Sequence, residues 1–511
     1  MATALTRDAP VAVIGAGTMG AGIAQIAATA GHRVSLFDAR LGAAEAACAA
    51  LTRTFDTLGA KGKLAAPDAR AAAQRIVAVH ALGDCVNAKL VIEAIVEDLD
   101  VKRGLFRELE VIVAPDAILA TNTSSLSVTA LAAGLKHPAR VVGMHFFNPA
   151  PILPLVEVVS GLATDAAVAE TIYATAAVWG KEPVHATSTP GFIVNRCARP
   201  FYGEAWRLLA ERAASPATLD AVLRDAGGFR MGPFELMDLI GHDVNLAVTT
   251  SVWQAYHNDP RFTPSVLQRE LVDAGFLGRK SKRGLYDYAD GAAVQDVATE
   301  APQSPPSRIV VHGDAGLLAP LIARIGKSGV TVENSPATPG FPEGAVDVDG
   351  ALLVLTDGRT ATARAGAATT QDVAVLDLAL DYATCARVAV ARADGCSDAA
   401  YGRVVGALQA AGVAATRLDD VAGLAVMRTV AMLANEAADA VAQGVASARD
   451  VDIAMRKGVN YPRGPVAWAD AVGVQRVRDV LANLHGHYGD DRYRISPLIA
   501  RRCAVGASLA T

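Results

Sequence analysis

Short apolar runs, separated by longer stretches of mixed character, set the rhythm of the first 190 residues. The runs VAVI (11–14), VSLF (34–37), LVI (90–92), AILA (117–120) and the one opening RVVG at Arg140 are short and show little polar alternation. This predicts buried strands of a mostly parallel sheet, with the alanine-rich segments between them as helices. From Pro190 the rhythm changes to helical spacing in GFIVNRCARPFYGEAWRLLAE, SPATLDAVLRDAGG and GPFELMDLIGHDVNLAVTTSVWQAY. Ser215-Pro216 makes a helix start, a capping side chain followed by proline in the first turn. Residues 289–307 break all periodicity with prolines and polar residues, as a linker does. Strand-like runs then return over 308–416, and helical spacing over 417–511.

A chain of 511 residues exceeds one compact core and predicts two to four domains. A net charge of -5 with no basic block leaves no footprint for nucleic acid. Nowhere do eighteen apolar residues run together, so no membrane span is expected. The lead MATALTRDAP lacks the apolar core of a signal peptide, and the expected location is the cytoplasm. Cysteines 48, 85, 197, 385, 396 and 503 are scattered without a CxxC pair, which predicts neither disulfides nor a metal site.

The first strand runs into Gly15-x-Gly17-x-x-Gly20, with Thr18 and Met19 opening the next helix, and the second strand ends at Asp38. Each residue has a task. Gly15 permits the turn, Gly17 lets backbone N–H groups reach a pyrophosphate, and Gly20 lets helix and strand pack closely. Asp38 can accept hydrogen bonds from ribose hydroxyls and would repel a 2′-phosphate, which favours NAD over NADP, although Arg40 two residues on could host that phosphate. Polar clusters follow the later strands: Glu93, Glu97 and Lys102, then TNTSS (121–125), then His145 in MHFFNPAP. The carboxyl ends of strands form the ligand crevice of such a sheet. In isolation TNTSS is equally a turn or helix cap, and His145 is more simply a core histidine bonded to a backbone carbonyl.

The segments GAGTMGAGIAQ, VIEAIVED, NTSSLSV, GMHFFNPAPILPLVEVV and PGFIVNR stand in the order and spacing of the NAD-dependent L-3-hydroxyacyl-CoA dehydrogenases, which residues 11–288 resemble. The resemblance implies oxidation of an L-3-hydroxyacyl-CoA by NAD, reversibly, in fatty-acid or aromatic-acid breakdown of the phenylacetate type. It makes His145 the general base, Glu157 its orienting carboxylate, and Ser124 and Asn195 the hydrogen-bond donors to the reacting oxygen and thioester region. Asn122, Asn148, Glu97 and Lys102 match positions around ribose and nicotinamide, with Ser124 beside them. Lys280 matches a further cofactor-contacting lysine, and Lys61 and Lys63 lie where a lysine-bearing segment borders coenzyme A. Apart from the resemblance, taking a proton from a secondary alcohol suits histidine, whose unperturbed pKa lies near neutrality.

The second half repeats the first. A shift of 232 residues without a gap lays GFIVNRCARPFYGEA (191–205) on GLAVMRTVAMLANEA (423–437), Glu204 on Glu436, Asp220 on Asp452, Gly232-Pro233 on Gly464-Pro465 and Asp238 on Asp470. Asn195 falls on Met427. Residues 308–416 look like a decayed dinucleotide fold: with Gly15 matched to Gly313, Ala315 and Leu318 replace Gly17 and Gly20, and ARVAVARA is expected to match the strand of His145 without its histidine. The expected architecture is an α/β Rossmann-type dinucleotide-binding domain (1–189) followed by an all-α substrate and dimerisation domain (190–288). After the linker comes a degenerate copy of each, a Rossmann-like domain (308–416) and a second helical domain lacking the catalytic asparagine (417–511). Only the first copy is expected to bind NAD. The second helical domain is expected to pair with the first within one chain, with homo-oligomers still open. A dicarboxylic acyl chain would need a cation such as Arg199 or Arg230, each read more simply as a surface charge. Two alternatives stand beside this reading: an NAD-linked dehydrogenase of a free hydroxy acid, and a non-catalytic nucleotide-binding or structural protein.

Overall fold

The apolar runs of the first 190 residues form one eight-stranded sheet in the computed structural model, which describes residues 3–368 and 370–511. The strands are β1 (Val11–Ile14), β2 (Val34–Phe37), β3 (Ile76–Ala78), β4 (Leu90–Glu93), β5 (Ile118–Thr121), β6 (Val141–Phe146), β7 (Leu155–Ser160) and β8 (Glu182–Thr187). Their order is β3-β2-β1-β4-β5-β6-β7-β8. The first six are parallel; β7 runs antiparallel to β6, and β8 parallel to β7. Every residue of β1, β4, β5 and β6 is buried, as continuous apolar runs in a sheet covered on both faces should be. The antiparallel step matters most, because it sets His145 directly opposite Glu157. Cross-strand partners project from the same face, so twelve residues of chain become one side-chain contact.

The chain divides into two compact units, residues 1–196 with 440–459, and 197–439 with 460–511. Thus a helix from the far end of the sequence, Ala448–Gly458, belongs with the first sheet. There Thr187 N–H donates to Val445 O at 2.8 Å, and Lys457 Nζ lies 2.5 Å from Glu182 Oε1. Gly458 packs so closely that a Cβ would stand 2.6 Å from Leu155 Cδ2 and 3.2 Å from Val194 Cγ2.

In the second unit β9 (Arg308–His312), β10 (Thr331–Ser335), β11 (Ala345–Val348), β12 (Ala351–Leu355), β13 (Val373–Leu376), β14 (Arg387–Arg392) and β15 (Ala414–Arg417) form a sheet ordered β10-β9-β11-β12-β13-β14-β15. The helices of this unit include Arg199–Ala210, Pro216–Asp225, Pro233–Ile240 and His242–Ala255. The fold is therefore the expected one, a Rossmann-like sheet and a helical domain with a degenerate copy of both. One strand departs from that pattern. β11 is antiparallel to β9 and β12, where β4 of the first sheet is parallel to its neighbours. Its cause is a two-residue hairpin, with Asp349 at φ 49° and Gly350 at φ 90°, both in the left-handed region that such a turn requires.

The matching of strands between halves needs correction. The 232-residue shift lays β7 on β14 and the start of β8 on that of β15, so ARVAVARA corresponds to the strand of Glu157, not of His145. The strand of His145 corresponds to β13, and Asp377 stands in the histidine's place with Ala389 opposite. Among the described residues no helix is long and apolar enough to cross a membrane.

Candidate active site

The turn after β1 is built for an anion. Gly15 has φ 106° and donates its N–H to Phe37 O at 2.7 Å; a Cβ there would lie 2.5 Å from Ala94 O. A Cβ on Gly20 would lie 1.8 Å from Gly15 O, so helix and turn meet at a distance only glycine allows. Gly17 faces open space and caps the helix Thr18–Ala30 without any side-chain acceptor, which leaves the first N–H groups of that helix, at Thr18 and Met19, for a ligand. Asp38 Oδ2 accepts from Ala16 N–H at 2.8 Å, and Arg40 Nε lies 3.1 Å from Oδ1. Burial opposes ionisation of Asp38, but Arg40 and the backbone donors outweigh it and hold its carboxyl below the usual range. A cavity of about 790 Å³ opens beside Gly15, Gly17, Phe37, Asp38 and Ile95.

Beyond β4, the acids and hydroxyls condense into one network. Glu93, fully buried, accepts from Lys102 Nζ at 2.7 Å, Thr121 Oγ1 at 2.7 Å and Ile95 N–H at 2.7 Å. Glu97 Oε1 accepts from Thr123 Oγ1 at 2.6 Å and from the Ser124 and Ser125 N–H groups at 2.9 and 3.2 Å, while its Oε2 is 3.2 Å from Lys102 Nζ. Burial works against the Glu97 anion, yet Lys102 and these donors keep its carboxyl below the ordinary value. Lys102 is only 1% exposed, so it anchors two carboxylates from behind the crevice instead of facing it. Asn122 Oδ1 accepts from Phe146 N–H at 2.8 Å and so ties β5 to the histidine's strand.

His145 Nδ1 lies 2.6 Å from Glu157 Oε2, with both side chains buried. The other oxygen of Glu157 accepts the N–H groups of Ile193 and Val194, each at 3.0 Å. A carboxylate can only accept here, so Nδ1 carries the proton and Nε2 presents a lone pair. Phe147 and Phe192 flank the ring at 4.5 and 5.9 Å between centroids. Asn195 Nδ2 donates to the carbonyl of Ser124 at 3.3 Å, which brings the NTSS and GFIVNR segments together.

Comparison with known proteins identifies the family. The model of the 3-hydroxyacyl-CoA dehydrogenase NAD-binding domain matches residues 10–189, and that of the family's C-terminal domain matches 191–288 and again 423–508. A third, the 3-hydroxybutyryl-CoA dehydrogenase reduced Rossmann-fold domain, matches 353–421. The 3-hydroxyadipyl-CoA dehydrogenase of Escherichia coli (strain K12) is 44% identical over 503 residues, 97% of each chain. The chain belongs to the 3-hydroxyacyl-CoA dehydrogenase family. Its first half is also 39% identical to the 3-hydroxybutyryl-CoA dehydrogenase of Clostridioides difficile, over 54% of this chain and 99% of that one. A crystal structure of 3-hydroxybutyryl-CoA dehydrogenase from Escherichia coli K12 superposes with a TM-score of 0.88 at 43% identity, covering 98% of this chain and 99% of that one. The protein is thus an NAD-dependent 3-hydroxyacyl-CoA dehydrogenase, and the glycine turn with Asp38 fits that cofactor.

Other expected site residues of the dehydrogenase lie outside the network just described. Asn148 is exposed beside Pro149, and Lys61 and Lys63 are exposed on the turn after the helix Ala43–Ala60. Lys280 is in the second unit, where it pairs with Asp243 at 2.6 Å. Arg230 is exposed, whereas Arg199, expected at the surface, is buried with Nη1 donating to Thr249 Oγ1 at 2.9 Å. Glu93, Thr121, Phe147 and Phe192 complete the geometry. Of these, Glu93 and Thr121 had a visible signal, a charge and a hydroxyl closing apolar strands, while Phe147 and Phe192 stood in quoted motifs without a role assigned.

The dehydrogenase's second half keeps the scaffold without the His–Glu pair. Asp377 Oδ2 accepts from Ala425 and Val426 N–H at 2.9 and 2.7 Å, the counterparts of Ile193 and Val194, and Oδ1 takes the N–H groups of Leu378 and Met427. A single buried carboxylate thus fills the place of the His–Glu pair. At the degenerate glycine turn, Glu343 accepts from Asp314 N–H, and a Cβ on Gly313 would meet its carboxylate at 2.5 Å. In the first half the matching N–H, that of Ala16, donates to Asp38, so Glu343 takes the place of that aspartate.

Proposed function

We propose that His145 is the general base of this dehydrogenase. Nε2 takes the proton of the 3-hydroxyl as the C3–H bond gives up its hydride and the C3 carbonyl forms. NAD, when bound, supplies the hydride acceptor. Glu157 keeps the proton on Nδ1 and stabilises the imidazolium that forms, the usual work of a carboxylate behind a histidine base. The observation that carries this reading is the 2.6 Å contact between His145 Nδ1 and Glu157 Oε2 in a buried pair. Ser124 and Asn195 hydrogen-bond the reacting oxygen and the thioester region. Gly15, Gly17, Thr18, Met19 and Gly20 hold the pyrophosphate and Asp38 a ribose; Glu97, Asn122, Asn148 and Lys280 serve the rest of the cofactor, and Lys102 acts through Glu97. Lys61 and Lys63 attract the phosphates of coenzyme A. His145→Ala should remove most of the turnover and leave NAD affinity nearly unchanged; an unaffected rate would refute the assignment.

The acyl group we infer is dicarboxylic, 3-hydroxyadipyl-CoA, which places the reaction in aromatic-acid breakdown; the full-length relative of that name supports it. With NADH, 3-oxoadipyl-CoA should then exceed acetoacetyl-CoA in kcat/KM by about tenfold or more. We assign NAD binding to the first sheet only, supported by Ala315 and Leu318 standing where the first turn has Gly17 and Gly20. Calorimetry should count one NAD per chain. The second half serves, in this reading, as a built-in partner of the first, and the helix Ala448–Gly458 beside β7 and β8 supports that role. A monomeric, fully active 1–290 fragment would refute it. Six free thiols suit the cytoplasm.

A further inference from the structure

The second unit holds a cavity of about 180 Å³ that the proposed reaction does not use. Four arginines line it, Arg199, Arg207, Arg261 and Arg492, together with the aromatic faces of Trp206 and Phe262. The internal repeat shows which of these charges is out of balance. At a shift of 231 residues, one fewer than earlier in the domain, Arg261 and Arg492 are counterparts: each sits in a single turn, Pro260–Phe262 or Asp491–Tyr493, whose preceding aspartate, Asp259 or Asp490, accepts the arginine's own N–H. Arg261 is neutralised by Glu436 Oε2 at 3.1 Å and by Asp439, and donates further to Arg494 O at 2.7 Å.

Under the 232-residue shift the matching positions on the other side are Glu204 and Arg207. The second carboxylate has become a cation, Arg207, which pairs with Asp490 at 3.0 Å and so brings no acceptor to Arg492. Glu204 is already committed to Arg428 Nε at 2.7 Å and Tyr493 OH at 2.9 Å, and its Oε1 stands 3.9 Å from Arg492 Nη1. Arg492 is 3% exposed, its Nε has no hydrogen-bond partner among the described residues, and the carboxylate it faces is the Glu204 already shared with Arg428 and Tyr493. Burial lowers its pKa, and Arg207 lowers it further against the pull of Glu204. A buried guanidinium with an unpaired N–H and only a shared, distant carboxylate is unfavourable, and the partner its planar fork fits is a carboxylate or another oxyanion.

We propose that this cavity is a binding site for a small organic carboxylate, its head group between Arg492 and Arg207 and its carbon chain along Trp206 and Phe262. The aromatic wall favours a carbon chain over a bare phosphate. The volume, a little above the ~150 Å³ that holds a benzene ring, limits the chain to roughly four to six carbons and excludes a nucleotide.

The test is calorimetric titration of the full chain with butyrate, adipate and inorganic phosphate at fixed ionic strength. Saturable binding of butyrate or adipate at one site per chain is expected, weakened about tenfold or more in Arg492→Gln and in Arg207→Gln. Without ligand, Arg492→Gln should melt no lower than the wild type, since it removes a buried charge that is only weakly paired, and it should lose the upward Tm shift that the carboxylate gives the wild type. The proposal is overturned by no saturable carboxylate binding, by phosphate bound in preference, or by an affinity unchanged in both variants.

Discussion

Replacing Glu157 by glutamine isolates what the carboxylate does to the histidine. Oε1 of Glu157 accepts both backbone N–H groups, of Ile193 and Val194 at 3.0 Å, while Oε2 alone meets His145 Nδ1 at 2.6 Å. A glutamine can keep its carbonyl on the two N–H groups, so the local fold survives and Tm should move by less than about 5 °C. Its amide then points N–H groups at Nδ1. A donor facing a donor reverses the tautomer: Nδ1 becomes the acceptor, Nε2 carries the proton, and the ring presents no lone pair to the substrate hydroxyl. The expected loss is about 10²- to 10⁴-fold in kcat, or roughly 3 to 5 kcal/mol of transition-state stabilisation. Initial rates of NADH formation at saturating NAD and acyl-CoA measure kcat, and calorimetry measures the dissociation constant for NAD, which should stay within about threefold. A kcat within about threefold of the wild type, with the fold intact, would refute the tautomer argument.

Gly458→Val should lower stability by about 1 to 3 kcal/mol, because its Cβ would meet Leu155 Cδ2 at 2.6 Å behind the catalytic strand; urea melts and kcat together read it, and an unchanged midpoint would contradict the packing. Lys102→Met strands the buried Glu93 and leaves Glu97 without its cation, so a loss of about 3 to 5 kcal/mol is expected in denaturant unfolding. Asp377 and Asp220 are pushed up by burial to about 6 and about 7 from an ordinary 3.8. Because the folded values are raised, the stability these two contribute is complete below about pH 4 and lost as pH climbs through about 6 and 7. The urea midpoint should fall between about pH 4 and pH 7 and level off above that, and a rise across this window would contradict the burial of these acids.

Much of the site was legible because its parts are local. The turn Gly15 to Gly20 and Asp38 sit at fixed offsets from apolar strands, and the mechanical needs of a pyrophosphate site dictate those offsets. His145 and Glu157 were legible as motifs, but their contact depends on β7 running antiparallel to β6, which a lone apolar run does not encode. The same limit explains the misplaced ARVAVARA: apolar runs of similar length look alike, and only pairing direction separates the histidine's strand from the glutamate's. The hairpin at Asp349-Gly350 did carry a sequence signal, an Asp-Gly pair between apolar runs, which was masked by the expectation of a parallel copy. Lys102 looked like a surface ligand because burial of a lysine depends on Glu93 and Glu97 being brought to it by the fold. The helix Ala448–Gly458 was placed by sequence with the second helical domain alone, since nothing in its own periodicity names the sheet it packs on.

The central claim is that His145 removes the hydroxyl proton as hydride leaves. Single-turnover hydride transfer, followed by NADH absorbance after rapid mixing of acyl-CoA with the NAD-saturated enzyme, tests it across pH for the wild type and His145→Gln. The wild-type rate should fall on the acid side as the imidazole is protonated. In His145→Gln the rate should be about 10²- to 10⁴-fold lower and that acid limb should vanish. A variant that transfers hydride at the wild-type rate, or keeps the same acid limb, would contradict the assignment of the base.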